Sequence, residues 1–507
     1  MRTILSFIAW GILLAHLTSS SSAQVPVGTN LESLNDWHQQ TPFVDAFKTS
    51  REWISHQANP FAWGAGPPVV TDELGWPQSI QANQVIESII FAGGSPNYPD
   101  GVYAIRYDGI GTIKPSMGGN GSLTILKQSH GYIEVDLRVS ADGLFTLKIT
   151  DIIKPIKNIR VYLPGFDNSK EIFHPDFVKS LDRYDTIRFM DWGRMNANPV
   201  TSWFEVTNFF NYTQATDRGI HPLFMIHLCN VTDKDMWICV PHMADDEYVR
   251  YLGLLCDVAL KPSLKVYLEY SNEVWNSQFK QTQYAQQKGI ALGLNSQPWH
   301  AGWLYYSQRS VEVFKLFSNS YSSDRELVRV LAGQSVNPWV NTQIMDWKDA
   351  YKHADAFAIA PYFGATLGNL TISPNTASLS VAQILAECET SILETHTQST
   401  LRNSKIAKAR DLKLLAYEGG QHLSGVGAAE NNQTLTDLFV AANRDPAMRK
   451  LYYDYLTGWE ANGGGLFMNF TLTSDYGRYG SWGILEWQSQ PRSTAHKWLG
   501  LMDYLGY

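Results

Sequence analysis

From Phe173 onward the chain alternates between two hydrophobic periods. Short apolar runs rich in β-branched and aromatic residues are separated by longer stretches whose apolar positions recur at helical spacing. The runs "DTIRFMDW", "HPLFMIHL", "VYLEYSNE", "ELVRVLAGQS", "ADAFAIAPYFG", "LKLLAYEGG" and "GGLFMNFTL" predict seven strands between residues 185 and 472. "PDFVKSLDRY", the stretch containing "WFEVTNFFNY", the acid-led "DDEYVRYLGLLCDVAL" and residues 299–318, 341–353, 379–400 and 445–462 predict the helices around them. Strand–helix repetition implies a parallel sheet. Seven such strands and one more upstream, expected near "PFVDAFKTSREWIS", make a closed (β/α)8 barrel of the TIM type. No G-x-G-x-x-G loop follows an early strand, which argues against an open dinucleotide-binding sheet.

Residues 83–165 follow a different rule. "GVYAIRYDGIGTIK", "GSLTIL", "GYIEVDLRVS" and "GLFTLKITDI" are alternating runs broken by Gly and Asp, with a hairpin signal at Ala141-Asp142-Gly143. They predict a small antiparallel, β-sandwich-like unit inserted between the first strand and the first helix of the barrel and packed on its outside. The resulting division is a targeting segment at 1–23, an N-terminal segment with the first barrel strand at 24–82, the β-unit at 83–165 and the main barrel at 166–507. The targeting segment rests on Arg2, the apolar stretch Ile4 to Leu17 and the small residues Ser21-Ser22-Ala23. A signal peptide predicts a secreted or extracellular protein, with lumenal or lysosomal destinations sharing the same route. No run is long enough for a membrane span.

Composition narrows the partners. A net charge of −8 without a basic block excludes nucleic acid as a natural ligand. The 17 Trp and 25 Tyr offer flat apolar faces with polar edges, which suit sugar rings as well as a protein core. Sequons at Asn120, Asn211, Asn230, Asn369 and Asn432 are expected glycosylation sites, whereas Asn469 lies in an apolar run and is expected to stay bare. Of the four cysteines, Cys229 and Cys239 flank a polar loop and form the expected disulfide; Cys256 and Cys388 lie in helical apolar patterns. There is no CxxC pair and no HExxH, so neither a metal nor a cofactor is expected. The protein is expected to be a monomer.

Barrels place chemistry at the C-terminal ends of their strands. Two acids stand there: Glu273 after "VYLEYSN", the fourth strand of the count, and Glu418 after "LKLLAY", the seventh. Either alone reads as a solvated loop acid. Together across a sugar-binding cleft, one protonated and one ionised, they are what glycosidic bond cleavage requires. Asn272 and Trp275 beside Glu273 supply a hydrogen-bonding amide and an apolar wall that raises the acid's pKa.

Asn-Glu at the end of strand four with Glu at the end of strand seven resembles the clan A glycoside hydrolases, a superfamily of retaining (β/α)8-barrel glycosidases. The resemblance covers roughly residues 173–490 and leaves the family within the clan open, because the β-rich insertion departs from the best-known members. It implies that Glu273 is the acid/base, Glu418 the nucleophile and Asn272 the group that holds a sugar 2-hydroxyl. It also implies supporting roles for Arg188 near the nucleophile, for a strand-three His227 and for Tyr362 against the nucleophile. Each has a structural alternative: an ion pair, a core imidazole and core packing. Trp192, Trp275 and Trp482 are candidate sugar-stacking platforms. The function so implied is hydrolysis of a β-linked oligo- or polysaccharide through a covalent glycosyl-enzyme. The alternative is a carbohydrate-binding protein that keeps the barrel without turnover. A metal-dependent barrel hydrolase ranks last, since only His227 and scattered Asp residues are on offer.

Overall fold

The computed structural model describes residues 24–93 and 97–507. The expected signal segment at 1–23 lies outside the described residues.

Eight parallel strands close into a barrel in the order Val27–Asn30, Thr186–Arg188, Asp235–Val240, Val266–Tyr270, Leu327–Ala332, Ala356–Ile359, Lys413–Ala416 and Gly464–Asn469, with the last strand pairing the first. Helices pack on the outer face. In the fourth strand Val266, Leu268 and Tyr270 join the core between barrel and helices. Inside the barrel, Met190, Trp237, Cys239, Ala332, Ala358, Leu415, Tyr417 and Met468 fill the bore. The bore is therefore a packed core that lifts chemistry to one rim.

Two strand assignments differ from the sequence reading. The first strand is Val27–Asn30, not the stretch near Pro42–Ser55. "VGTN" is four residues long and buried throughout, so it carries no alternation. The more apolar stretch downstream instead forms a short 3-10 turn, Ala46–Thr49, capped by Asp45 accepting from the Phe47 amide, and then enters the β-unit at Ile54–Gln57. "HPLFMIHL" is not the third strand. It lies in the helix Pro222–Thr232, and the strand is "DMWICV" just after it. An apolar run of that length does not reveal its own period. The deciding signals are Pro222 in the first turn and His221, whose Nδ1 accepts from the Leu223 amide at 3.1 Å. Nor is "WFEVTNFFNY" a helix; only Trp203–Glu205 turns, as a 3-10 segment.

Between the first barrel strand and the first barrel helix, Pro175–Ser180, lies one six-stranded antiparallel sheet. Its order is Ile54–Gln57, Gln84–Ala92, Leu144–Tyr162, Gly101–Gly118, Tyr132–Val139 and Gly121–Ser129. Its two longest strands pair through four register shifts, which bend them. The sheet has its own core, including Ile86, Tyr103, Val135, Phe145 and Ile149, which Phe47, Trp76 and Tyr212 extend toward the barrel.

Candidate active site

The fourth strand ends in a backbone that L-residues rarely adopt. Ser271 has φ 62° and Glu273 φ 43°, conformations that cost roughly 1–3 kcal/mol each and persist where surrounding contacts over-determine them. Those contacts are present. The Asn272 side-chain oxygen accepts from Arg188 Nη2 at 2.9 Å, and its amide donates to Asn196 Oδ1 at 3.1 Å. Gln281 Nε2 donates to the Asn272 carbonyl and to Asn196 Oδ1, both at 2.8 Å. Glu273 is then held at both oxygens, Oε1 accepting from the Tyr417 hydroxyl at 3.0 Å and Oε2 from Asn276 Nδ2 at 2.9 Å.

Arg188 is the hub beneath the rim. Fully buried, it bonds Glu269 at 2.9 Å and Asn30 Oδ1 at 3.1 Å, and it approaches Glu418 Oε2 at 3.6 Å. Glu269 also accepts from Trp237 Nε1 at 2.9 Å and contacts Cys239 Sγ at 3.5 Å. Sequence reasoning missed Glu269. The signal was available: Tyr267, Glu269 and Ser271 occupy alternate positions of a strand buried on both faces, and a carboxylate there needs a cation. Tyr417, Asn276, Asn196, His422 and Phe470 were missed as well, none being distinguished from ordinary core or loop residues by type alone.

Glu273 and Glu418 line the same cavity, and each carboxyl feels the other. Burial raises the Glu273 pKa, against bonds from Asn276 and Tyr417 and the charge of Arg188. Burial also lifts Glu418 well above the carboxylate range, and the charge of Glu273 adds to it; Arg188 opposes both, while Asp191 and Glu269 push further up. Both carboxyls thus hold a proton to higher pH than a free carboxylate does, and ionising one opposes ionising the other. Arg188 stands near Glu418, as the resemblance implies, but its nearer carboxylate is Glu269, so only part of its charge reaches Glu418.

A cavity of about 450 Å³ opens over the pair. Trp275, Trp482, Tyr362, His422 and Phe470 line it, and Trp482 meets His422 and Tyr362 edge-on at 4.9 and 5.8 Å. Burial lowers the His422 pKa, so the imidazole is neutral at pH 7. The cavity can hold a ring-shaped ligand against aromatic walls with both carboxyls beneath it.

Four expected site residues are elsewhere. Trp192 is 1% exposed, packed among Phe43, Phe177 and Phe189, and presents no face to the cavity. His227 belongs to the outer helix Pro222–Thr232 and stacks on Phe173 at 5.6 Å, because the run that carries it is not a strand. Cys229 and Cys239 are free thiols. The first lies on that helix and the second inside the bore against Glu269, so they occupy opposite faces of the third strand. Asn120 is exposed; Asn211, Asn230, Asn369 and Asn432 are half-buried, and Asn469 is buried. Among the described residues no three metal-ligating side chains converge, and no helix is long and apolar enough to cross a membrane.

No protein-family description matches the chain, and no curated protein matches it in sequence. Among solved structures it is similar to a trimodular GH5_4 subfamily endoglucanase, at 11% identity and TM-score 0.35, covering 63% of this chain and 53% of that one. The chain thus spans about half the length of that endoglucanase. It is also similar to a Bacteroidetes-affiliated GH5 cellulase linked with a polysaccharide utilization locus, at 10% identity and TM-score 0.36, covering 66% and 86%. A third likeness is to a GH10 protein from Paenibacillus barcinonensis, at 8% identity and TM-score 0.31, covering 59% and 80%.

Proposed function

We propose that the protein is a retaining glycoside hydrolase acting on a β-linked glycan. The observation that carries this reading is the Glu273–Glu418 pair: two carboxyls at two strand ends, Glu418 buried and Glu273 half-buried, both with raised pKa, under an aromatic-walled cavity. One acid and one carboxylate is the starting state of a double displacement. Glu418 attacks the anomeric carbon while Glu273 gives its proton to the departing oxygen. The resulting glycosyl ester is then cleaved by water, which Glu273, now a base, deprotonates. Retention requires the two carboxyls to stand about 5–5.5 Å apart, whereas an inverting pair stands about 6.5–9.5 Å apart to admit a water. Tyr417 and Asn276 orient Glu273, and Asn272, fixed by Arg188 and Asn196, stands beside it where a sugar hydroxyl can bond. Trp275 and Trp482 are the stacking faces. The Arg2-led apolar segment and the sequons support a secreted glycoprotein, which N-terminal sequencing and a deglycosylation shift would check.

The test is a panel of cellulose, mixed-linkage glucan, mannan, xylan and β-1,3-glucan with Glu418→Gln as control. Hydrolysis with retained anomeric configuration, lost on the order of a thousandfold or more in the variant, is expected. Glycan binding without turnover would instead favour a binding protein on a glycosidase-like barrel.

A further inference from the structure

Two further hollows neighbour the cavity over Glu273 and Glu418. Asn196, whose side chain is fixed by Asn272 and Gln281, also lines a second hollow of about 670 Å³ formed by Asn35, Trp37, Arg51, Arg194 and Asp217. Glu52 joins that hollow to a third, of about 710 Å³, bounded by Trp53, Thr71, Asp72 and Arg218. The three are neighbours in a row from the catalytic carboxyls to the β-unit, each sharing a wall residue with the next. Each is the size of a ligand cleft, ~300–1,000 Å³.

Trp37 gives the second hollow a particular chemistry. Its side chain is half exposed, yet the loop that carries it is pinned. The neighbouring Asp36 is buried and bonds Arg51 through both oxygens at 3.0 and 2.7 Å. The Asp36 carbonyl accepts from the Ala92 amide and the Tyr98 hydroxyl, at 2.7 and 2.9 Å. The Arg51 guanidinium lies 5.4 Å from the indole centroid. A lone exposed indole needs no explanation. An indole on a loop pinned by the Asp36–Arg51 ion pair, in a hollow next to a catalytic cavity and flanked by charges of both signs, is a preorganised stacking face ringed by hydrogen-bonding groups. Neutral polyhydroxylated rings fit it; an anionic or cationic polymer gains nothing from the mixed charge.

Resting on the glycosidase reading, we propose that this groove forms distal sugar subsites, with Trp37 as a stacking platform, and that the substrate is a glycan chain long enough to reach from the cleft onto the β-unit. The insertion then serves substrate length selection as well as bracing the barrel.

The experiment compares wild type, Trp37→Ala, Trp37→Phe and the remote surface variant Tyr453→Ala on aryl β-glycosides and on cello-, manno-, xylo- and laminarihexaose. Trp37→Ala is expected to lower kcat/KM for the hexasaccharide that is cleaved by about tenfold, chiefly through KM. It should leave the aryl glycoside within about twofold, with Trp37→Phe retaining most of the activity and Tyr453→Ala all of it. An unchanged hexasaccharide rate, or an equal loss on the aryl glycoside, overturns the proposal. Should wild type cleave nothing, the catalytic reading fails, and titration of the same hexasaccharides decides the groove. Binding weakened by Trp37→Ala supports it; no binding, or binding indifferent to Trp37, overturns it.

Discussion

Arg188 serves two carboxylates from one buried charge, and that sharing sets how the site titrates. Glu269 takes the shorter contact, and its charge is among those that push Glu418 up. Replacing Glu269 by Gln removes that repulsion and frees Arg188 for Glu418, so the Glu418 pKa falls. If Glu418 must be ionised to attack, the acid limb of kcat/KM against pH moves to lower pH in Glu269→Gln; an unmoved limb would mean that Arg188 does not govern Glu418. The two site acids should also separate kinetically. Glu273→Gln should harm substrates with poor leaving groups most, and azide should restore turnover by attacking the glycosyl-enzyme. Glu418→Gln should block covalent trapping by an activated fluoro-sugar, and azide should not restore trapping. Glu273 and Glu418 were legible because a barrel exposes the residues just past its strand ends. Glu269 and Tyr417 sit within or at the end of strands, where residue type alone does not separate a site group from a core group.

At the scale of elements, the barrel was legible through its rhythm, and its errors share one cause. "PLFMIHL" and "DMWICV" are both short, nearly all-apolar runs, and such a run does not show in its sequence the period that distinguishes helix from strand. Choosing the wrong one kept the strand count but put His227 on a strand, whereas it and Cys229 belong to an outer helix. The first strand escaped for the complementary reason, being too short to show any pattern. The helix Asp246–Ala259, by contrast, announces itself by an acidic first turn and a cap: the Asp245 carboxylate accepts from the Tyr248 amide at 2.7 Å. Asp245→Ala should cost about 1 kcal/mol in urea unfolding. The cysteine geometry makes its own prediction. Under denaturing conditions without reductant all four thiols should react with a thiol reagent, and adding reductant should leave the Tm unchanged.

For the whole molecule, the closure of the barrel brings its first and last strands together and buries an acid at the seam. Glu32 follows the strand Val27–Asn30, and its carboxylate accepts from the Gln39 amide at 2.8 Å and from the hydroxyl of Thr473, beyond the last strand, at 3.2 Å. Burial raises its pKa to about 8, opposed by those two bonds and reinforced by the charges of Asp475 and Asp191. In the unfolded chain the same group titrates near 4.5. Between these values the folded state holds a proton that the unfolded state has released. Stability from this group is therefore complete below about pH 4.5 and falls as pH rises toward about 8, by at most ~1.4 kcal/mol per pH unit. Asp191, raised by burial to about 6, contributes with the same sign over a narrower window, and Glu273 and Glu418, both raised by burial, also contribute with that sign. Glu32→Gln keeps an acceptor for the Gln39 amide and removes one titration from this sum. Urea unfolding across that pH range should show the variant gaining on wild type as pH rises, with the difference levelling off above about pH 8. Parallel stability curves would mean that Glu32 ionises in the folded protein as it does in the unfolded chain, and that the seam does not shield it.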